Sequence, residues 1–262
     1  IPPALCACGM ETSVKNNRVC NILGVNINIM SMQQVKDYIC NNIDALRGRY
    51  ICVSNVHTTV MSHDDESYCN VQNSAALRLP DGKPLSIVAK HRGFEDAVRV
   101  TGPDLMGELF ADAGKNKLRH YFYGSTQETL DTLGKKLKEK YPDIIIAGMF
   151  SPPFGAVSDE DDAEFVKMIN DACPDVVWVG LGAPKQERWM YYHRDRVNAV
   201  MIGVGAGFDY YADNIKRAPK WMQKCSLEWL YRLMQDPKRL ARRYMDTNYR
   251  FIRLVKKENS RQ

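Results

Sequence analysis

Short apolar runs rich in β-branched residues recur along this chain, each separated from the next by a helix-length amphipathic stretch. That alternation constrains the fold more than any other feature, because parallel strands need a long crossover, usually a helix, between them. Runs at 49–53, 77–79, 118–123, 144–149, 176–179 and 200–204 read as strands. Helices are expected at 31–46, from 55 onward, and at 83–91, 104–113, 127–140, 160–171 and 185–193. Val176-Val177-Trp178-Val179 shows no polar alternation, as a strand buried on both faces requires. Ahead of these elements, residues 19–23 and 25–29 read as a hairpin turning at Gly24, and Ser31 with Gln34 forms a capping box. The expected fold is α/β: Rossmann-like, with a mostly parallel sheet and helices on both faces. After about Tyr211 only helical pattern follows, with Pro219 and Pro237 suited to helix starts. The chain thus divides into an N-terminal extension, 1–18, expected to be disordered; a Rossmann-like domain, 19–211; and a basic helical appendage, 212–262.

The bulk properties narrow the setting. With 262 residues and 45% hydrophobic content, the chain can bury one substantial core. No apolar run approaches the ~20 residues that span a bilayer. Residues 1–9 lack a basic n-region and are short for a signal peptide, and Met10 is a candidate natural start. The eight cysteines are scattered, and Cys6-Ala7-Cys8 is poorly spaced for zinc. A reducing cytoplasm without a disulfide framework is expected. The net charge of +5 hides an asymmetry. Residues 216–262 carry 14 Lys plus Arg against 4 Asp plus Glu, while the rest carries 22 against 27. A basic tail on a mildly acidic body points to an anionic partner. Lipid, nucleotide and nucleic-acid phosphates share that chemistry, but no nucleic-acid motif is present, so nucleic acid is not the expected partner.

In a doubly wound sheet, ligands bind outside the carboxyl ends of the strands. The residues just after the expected strands are uniformly small or polar: Ser54-Asn55, Pro80-Asp81-Gly82, Gly124-Ser125, Gly180-Leu-Gly182-Ala-Pro184 and Gly203-Val-Gly205-Ala-Gly207. Such turns let a ligand approach the backbone, and the following helix N-termini can receive phosphate. Gly203-x-Gly205-x-Gly207 has the wrong spacing for a dinucleotide fingerprint, and no P-loop occurs. Asp81 can act as a base toward a sugar hydroxyl or merely form an Asx-turn or helix cap. Asn55 carries the same ambiguity, and Asp209, after a glycine-rich turn, can hydrogen-bond a ribose or a nucleobase or merely cap. The histidines at 57, 63, 91, 120 and 193 show no metal-ligand spacing. No Asp-x-Asp pair of the kind that holds a divalent ion in many nucleotide-sugar enzymes is expected, so no metal and no cofactor is expected. In the tail, Arg232, Arg239, Arg242 and Arg243 are interleaved with Trp229, Leu230, Tyr231 and Leu233. Arginine forks suit diphosphate oxygens, and the apolar residues between them suit a lipid surface or an oligomer interface.

Several motifs together carry a resemblance. They are Val179-Gly-Leu-Gly-Ala-Pro-Lys-Gln-Glu187, residues 203–209 followed by Lys216-Arg217-Ala218-Pro219, and Leu227-Glu-Trp-Leu-Tyr-Arg-Leu233 followed by Pro237-Lys-Arg239. Leu79-Pro-Asp-Gly82 and Val100-Thr-Gly-Pro-Asp-Leu-Met106 precede them. The chain resembles the WecG/TagA/CpsF family, glycosyltransferase family 26, over about residues 20–255.

The resemblance implies inverting, metal-independent transfer of an N-acetylmannosamine-type sugar from a UDP-sugar to an undecaprenyl-diphosphate-linked sugar, in surface polysaccharide or teichoic acid synthesis. It places the general base on Asp81 and a catalytic-site asparagine on Asn55, with Arg232, Arg239 and Arg242 reaching the donor diphosphate. It puts Gln186 and Asp209 in the donor site, with Gly124, Gly182 and Gly205 lining it. Arg217, Trp221 and Arg243 are expected toward the acceptor and an anionic membrane surface, with the protein peripheral on the inner face. A homo-oligomer is also compatible. The alternative is a non-catalytic relative that binds a UDP-sugar or a partner. Two departures stand out. Val53 occupies a position where some members carry a hydroxyl, and Ser54 next to it is expected to face the other way. Met149-Phe-Ser-Pro-Pro-Phe-Gly155 replaces a glycine-tyrosine-rich segment, offering Phe150 or Phe154 to the uracil.

Overall fold

A computed structural model describes residues 18–219, 221–222 and 227–260, the side chains of 238–245 excepted. The hairpin is present as β1 (Val19–Ile22) and antiparallel β2 (Val25–Asn28). The capping box forms as expected: Gln34 N–H donates to Ser31 Oγ at 3.2 Å, and Ser31 N–H donates to Gln34 Oε1 at 2.8 Å. It opens α1 (Met32–Asn41), which stops short of residue 46. The chain turns there to reach Gly48, and Arg47 anchors the turn on the Asp175 carboxylate at 2.8 Å.

Six strands follow: β3 (Tyr50–Ser54), β4 (Leu77–Pro80), β5 (Arg119–Gly124), β6 (Ile145–Phe150), β7 (Val176–Gly180) and β8 (Val200–Gly203). They form one parallel sheet in the order β4-β3-β8-β7-β5-β6. Between them run α2 (Val56–Asp64), α3 (Glu66–Asn73), α4 (Lys83–His91), α5 (Gly102–Ala111), the short α6 (Ala113–Asn116), α7 (Gln127–Lys140), α8 (Asp159–Asp171) and α9 (Lys185–Tyr192). Helix α5 starts two residues earlier than expected, because Thr101 Oγ1 caps it by accepting from Asp104 N–H at 3.2 Å. After β8 come α10 (Gly207–Tyr211), α11 (Glu228–Gln235) and α12 (Pro237–Asn259).

The period of two along each strand sorts side chains onto two faces. Ile51, Val53, Phe122, Trp178 and Ile202 pack with α1, α5, α7 and α10. Tyr50, Cys52, Tyr123, Val179 and Met201 pack with α8 and α9 on the other face. Ser54 faces away from Val53, as expected: its Oγ donates to Gln72 Oε1 on α3 at 2.8 Å, while Val53 joins the first cluster. A third, smaller core joins the hairpin to Val60 of α2 and Leu85 of α4, and also to Phe251 and Val255 of α12. Ion pairs Arg92–Glu258 at 2.6 Å and Arg250–Asp64 at 2.8 Å hold the same contact. The last helix of the appendage is thus packed on the body.

The described cysteines, Cys20, Cys40, Cys52, Cys69 and Cys173, are free thiols. Residues 1–17, most of the expected extension, lie outside the described residues, as do Cys6, Cys8 and Cys225. Among the described residues, no helix is long and apolar enough to cross a membrane.

Candidate active site

Parallel register brings the strand ends into line. Ser54 stands opposite Pro80, Gly124 opposite Gly180, and Val179 opposite Gly203. All the small and polar turns therefore open on one edge. Strand β8 feeds α10 toward α5 and α7, whereas its neighbours β3 and β7 feed α2–α3 and α9 toward the opposite face, where α3 meets α9. Such a divergence of connections makes a crevice at the carboxyl edge.

On the β3–β4 side, Asp81 N–H donates to Ser54 O at 2.7 Å, which sets Asp81 beside Asn55. Asn55 caps α2: its Oδ1 accepts from His57 N–H at 3.0 Å and from Thr58 N–H at 3.2 Å. The cap consumes the oxygen and leaves the Nδ2 donors for a ligand. Asp81 is half-buried behind Gly82, whose φ of 108° turns the chain into α4. Burial pushes the Asp81 carboxyl up to about 6. Arg99 and Arg232 pull it back, while Glu228 and Asp104 add to the rise.

These charges form a network that spans body and appendage. Arg99 pairs with Glu228 of α11 at 2.6 Å and stands 3.9 Å from Asp104 of α5. Arg217 pairs with Asp104 at 2.5 Å and approaches Glu228 at 4.0 Å. Arg217, 34% exposed at its side chain, thus braces this network. Arg232 lies over the Tyr210 ring at 5.7 Å. Arg239, Arg242 and Arg243 lie on the backbone of α12, but their side chains are outside the described residues. Trp221 is exposed, as are Trp229, Met234, Tyr249 and Ile252.

On the β5–β8 side the groups are mostly neutral. Gln186 is 4% exposed, and its Oε1 accepts from Gly205 N–H at 3.0 Å. Its Nε2 donates to Glu187 Oε1 at 2.7 Å. The Gln186 amide is thus tied into the turn after β8 instead of being held out to a ligand. Gly124 has a φ of 119°, and a Cβ there would stand 2.7 Å from the Gly180 backbone, so its glycine serves strand approach. Gly182 differs: at a φ of 75°, a Cβ would meet nothing within 4 Å, and its backbone lies open. Asp209, on α10, accepts from Asn214 Nδ2 at 3.3 Å, and the same amide donates to Thr129 Oγ1 in the first turn of α7.

Two aromatic expectations separate. Phe150 packs on Tyr123 and Phe165, at 6.0 and 4.7 Å between ring centroids, and lies half-buried against the core. Phe154 is 87% exposed in the loop after β6. One Asp-x-Asp sequence does occur, Asp159-Glu160-Asp161, with exposed side chains in the first turn of α8, where acids complement the helix dipole.

Sequence reading missed Arg99, Asp104 and Glu228 as neighbours of Asp81. The motif 100–106 contains Asp104, and Arg99 precedes it, but only folding brings both to α11. A doubly wound sheet with a raised carboxyl on one side of its carboxyl edge and an amide-held glycine turn on the other has the layout of a nucleotide-dependent enzyme. The chain belongs to the Glycosyl transferase WecG/TagA/CpsF family, which it matches over residues 20–262, and it is a glycosyltransferase. It is 33% identical over 243 residues, 92% of either chain, to N-acetylglucosaminyldiphosphoundecaprenol N-acetyl-beta-D-mannosaminyltransferase of Bacillus subtilis. The protein of the same name from Staphylococcus aureus is 30% identical over 233 residues, 87% of this chain and 89% of that one.

Proposed function

We propose that this glycosyltransferase moves an N-acetylmannosamine-type sugar from UDP to GlcNAc carried on undecaprenyl diphosphate, at the inner face of the cell membrane. The activity for which the two relatives are named supports the transferred sugar and the lipid-linked acceptor. The observation that carries the mechanism is Asp81, a carboxyl pushed up to about 6 at the crevice edge. A base of that strength is largely ionised at neutral pH yet basic enough to share a hydroxyl proton in the transition state.

In this reading the acceptor hydroxyl oxygen attacks the anomeric carbon from the face opposite UDP. A new C–O bond forms as the bond to the UDP oxygen breaks, so configuration inverts. The hydroxyl proton passes to Asp81, and the electron pair leaves with UDP. Arg232, together with Arg239 and Arg242, balances the charge growing on the diphosphate. Asn55 Nδ2 orients the acceptor sugar. A divalent ion has no part in this scheme.

The test is UDP release from a panel of UDP-sugars with and without a synthetic lipid-diphosphate-GlcNAc, in chelator. Acceptor-dependent release from UDP-N-acetylmannosamine is expected, and release that vanishes with chelator would sink the metal-independent scheme. Membrane docking is tested separately with anionic vesicles. Replacing Trp221, Trp229 and Met234 by serine is expected to weaken binding, and unchanged binding would remove these residues from the docking face. Truncation is the poorer test, because Phe251 and Val255 of α12 sit in a body core.

A further inference from the structure

Beneath the crevice a buried chain of polar side chains runs from the β3 end to the β8 turn. Ser54 Oγ donates to Gln72 Oε1 at 2.8 Å, and Gln72 Nε2 donates to the Tyr68 hydroxyl at 3.0 Å. The Tyr68 hydroxyl lies within interaction range of the Glu187 carboxyl. Glu187 Oε1 then receives Gln186 Nε2, and Gln186 Oε1 receives Gly205 N–H. Glu187 is 1% exposed, and its Oε2 has no hydrogen-bond partner among the described residues. Burial of this kind without a paired cation is costly for a charged group. A carboxyl kept in such a place, where an aliphatic side chain would pack more cheaply, needs a reason in its one strong contact.

That contact decides how the Gln186 amide points. An amide can flip, exchanging oxygen for nitrogen, and only one orientation accepts from Gly205. Glu187 Oε1 is an acceptor, so it fixes the nitrogen on its own side and the oxygen on the Gly205 side. The geometry points to Glu187 as a positioning residue for the donor: through Gln186 it holds the turn after β8 in the shape that receives the nucleotide. This rests on the reading that a UDP-sugar binds at that turn, where the sheet connections diverge. Burial pushes the Glu187 carboxyl up, so a neutral amide is a fair replacement for it.

The experiment measures UDP binding by calorimetry, together with steady-state kinetics, on Glu187→Leu, Glu187→Gln, Gln186→Met and the double variant Gln186→Met/Glu187→Leu. Leucine removes the acceptor at similar volume and is expected to weaken UDP about tenfold, the scale of one lost buried hydrogen bond. At saturating donor its turnover number stays within about twofold, since the tie acts on binding and not on Asp81. Glutamine keeps an acceptor oxygen and restores wild-type affinity. Gln186→Met cuts the tie to Gly205 directly and serves if the leucine variant does not fold. It weakens UDP as much, and the double variant is no weaker than Gln186→Met alone. A wild-type chain that binds no UDP overturns the donor reading itself. If the wild type binds UDP and Glu187→Leu binds it equally well, or Glu187→Gln fails like leucine, the positioning role falls on its own.

Discussion

The two sides of the crevice are built from opposite materials. Beside Asp81 stand Arg99, Arg232, Asp104 and Glu228, full charges drawn partly from the appendage. Beside Gly205 stands the side-chain amide of Gln186, linked through one buried acid toward Tyr68 and Gln72, all from the body. Charges act over distance and tune a proton affinity. Neutral hydrogen bonds act only at contact and fix a shape. Under the proposed function, the half that takes the proton is surrounded by charges, while the half that holds the β8 turn is buried and tied by hydrogen bonds.

The largest break in that contrast comes from the charged half. Asp81→Asn retains size and removes the base, and kcat is expected to fall by about 10²–10⁴-fold, with UDP affinity unchanged. Turnover near the wild-type level would remove Asp81 from its role. Arg232→Ala is expected next, at on the order of 10²-fold in kcat, as for loss of one donor facing transition-state charge. A rise in KM alone would make Arg232 a ground-state contact only.

The pH profile sharpens the comparison further. Asp81 must be ionised to accept a proton, so kcat/KM is expected to rise with pH through about 6 and level off above it. Glu228→Gln removes a charge that raises Asp81 and frees Arg99, which lowers it, so the acid limb should move to lower pH by a fraction of a unit. Arg99→Gln should move it upward. Parallel shifts, or none, would show that the network braces α11 without tuning the base.

Much of the fold was legible because local chemistry and burial agreed. Ser31 with Gln34 announced α1, and residues 83–91 and 127–140 form helices over the expected spans. The strand-end turns also pointed to the edge on which the candidate residues gather. What escaped reading was long-range. Arg99 and Glu228 are 129 residues apart, and neither has a periodic or turn signature that predicts the other. Gln186 and Glu187 sat in a quoted motif, yet only the fold shows the amide turned inward to Gly205. Arg217 was expected to face the acceptor or membrane because its segment is basic. It also pairs with Asp104 and approaches Glu228, contacts that charge counting along the chain does not reveal.

The smallest effect belongs to the neutral half. Ser54→Ala removes the donor to Gln72 Oε1, and both residues are buried. An acceptor left unsatisfied in the core costs about 1–3 kcal/mol, so the melting temperature should fall by several degrees. Ser54 is also the residue whose carbonyl receives Asp81 N–H, which makes it a strict test of the separation. If the two halves are independent, the variant loses stability while its acid limb stays where the wild type's lies. An acid limb displaced as far as in Glu228→Gln would mean that the neutral chain reaches the base through β3, and that the crevice works as one coupled unit.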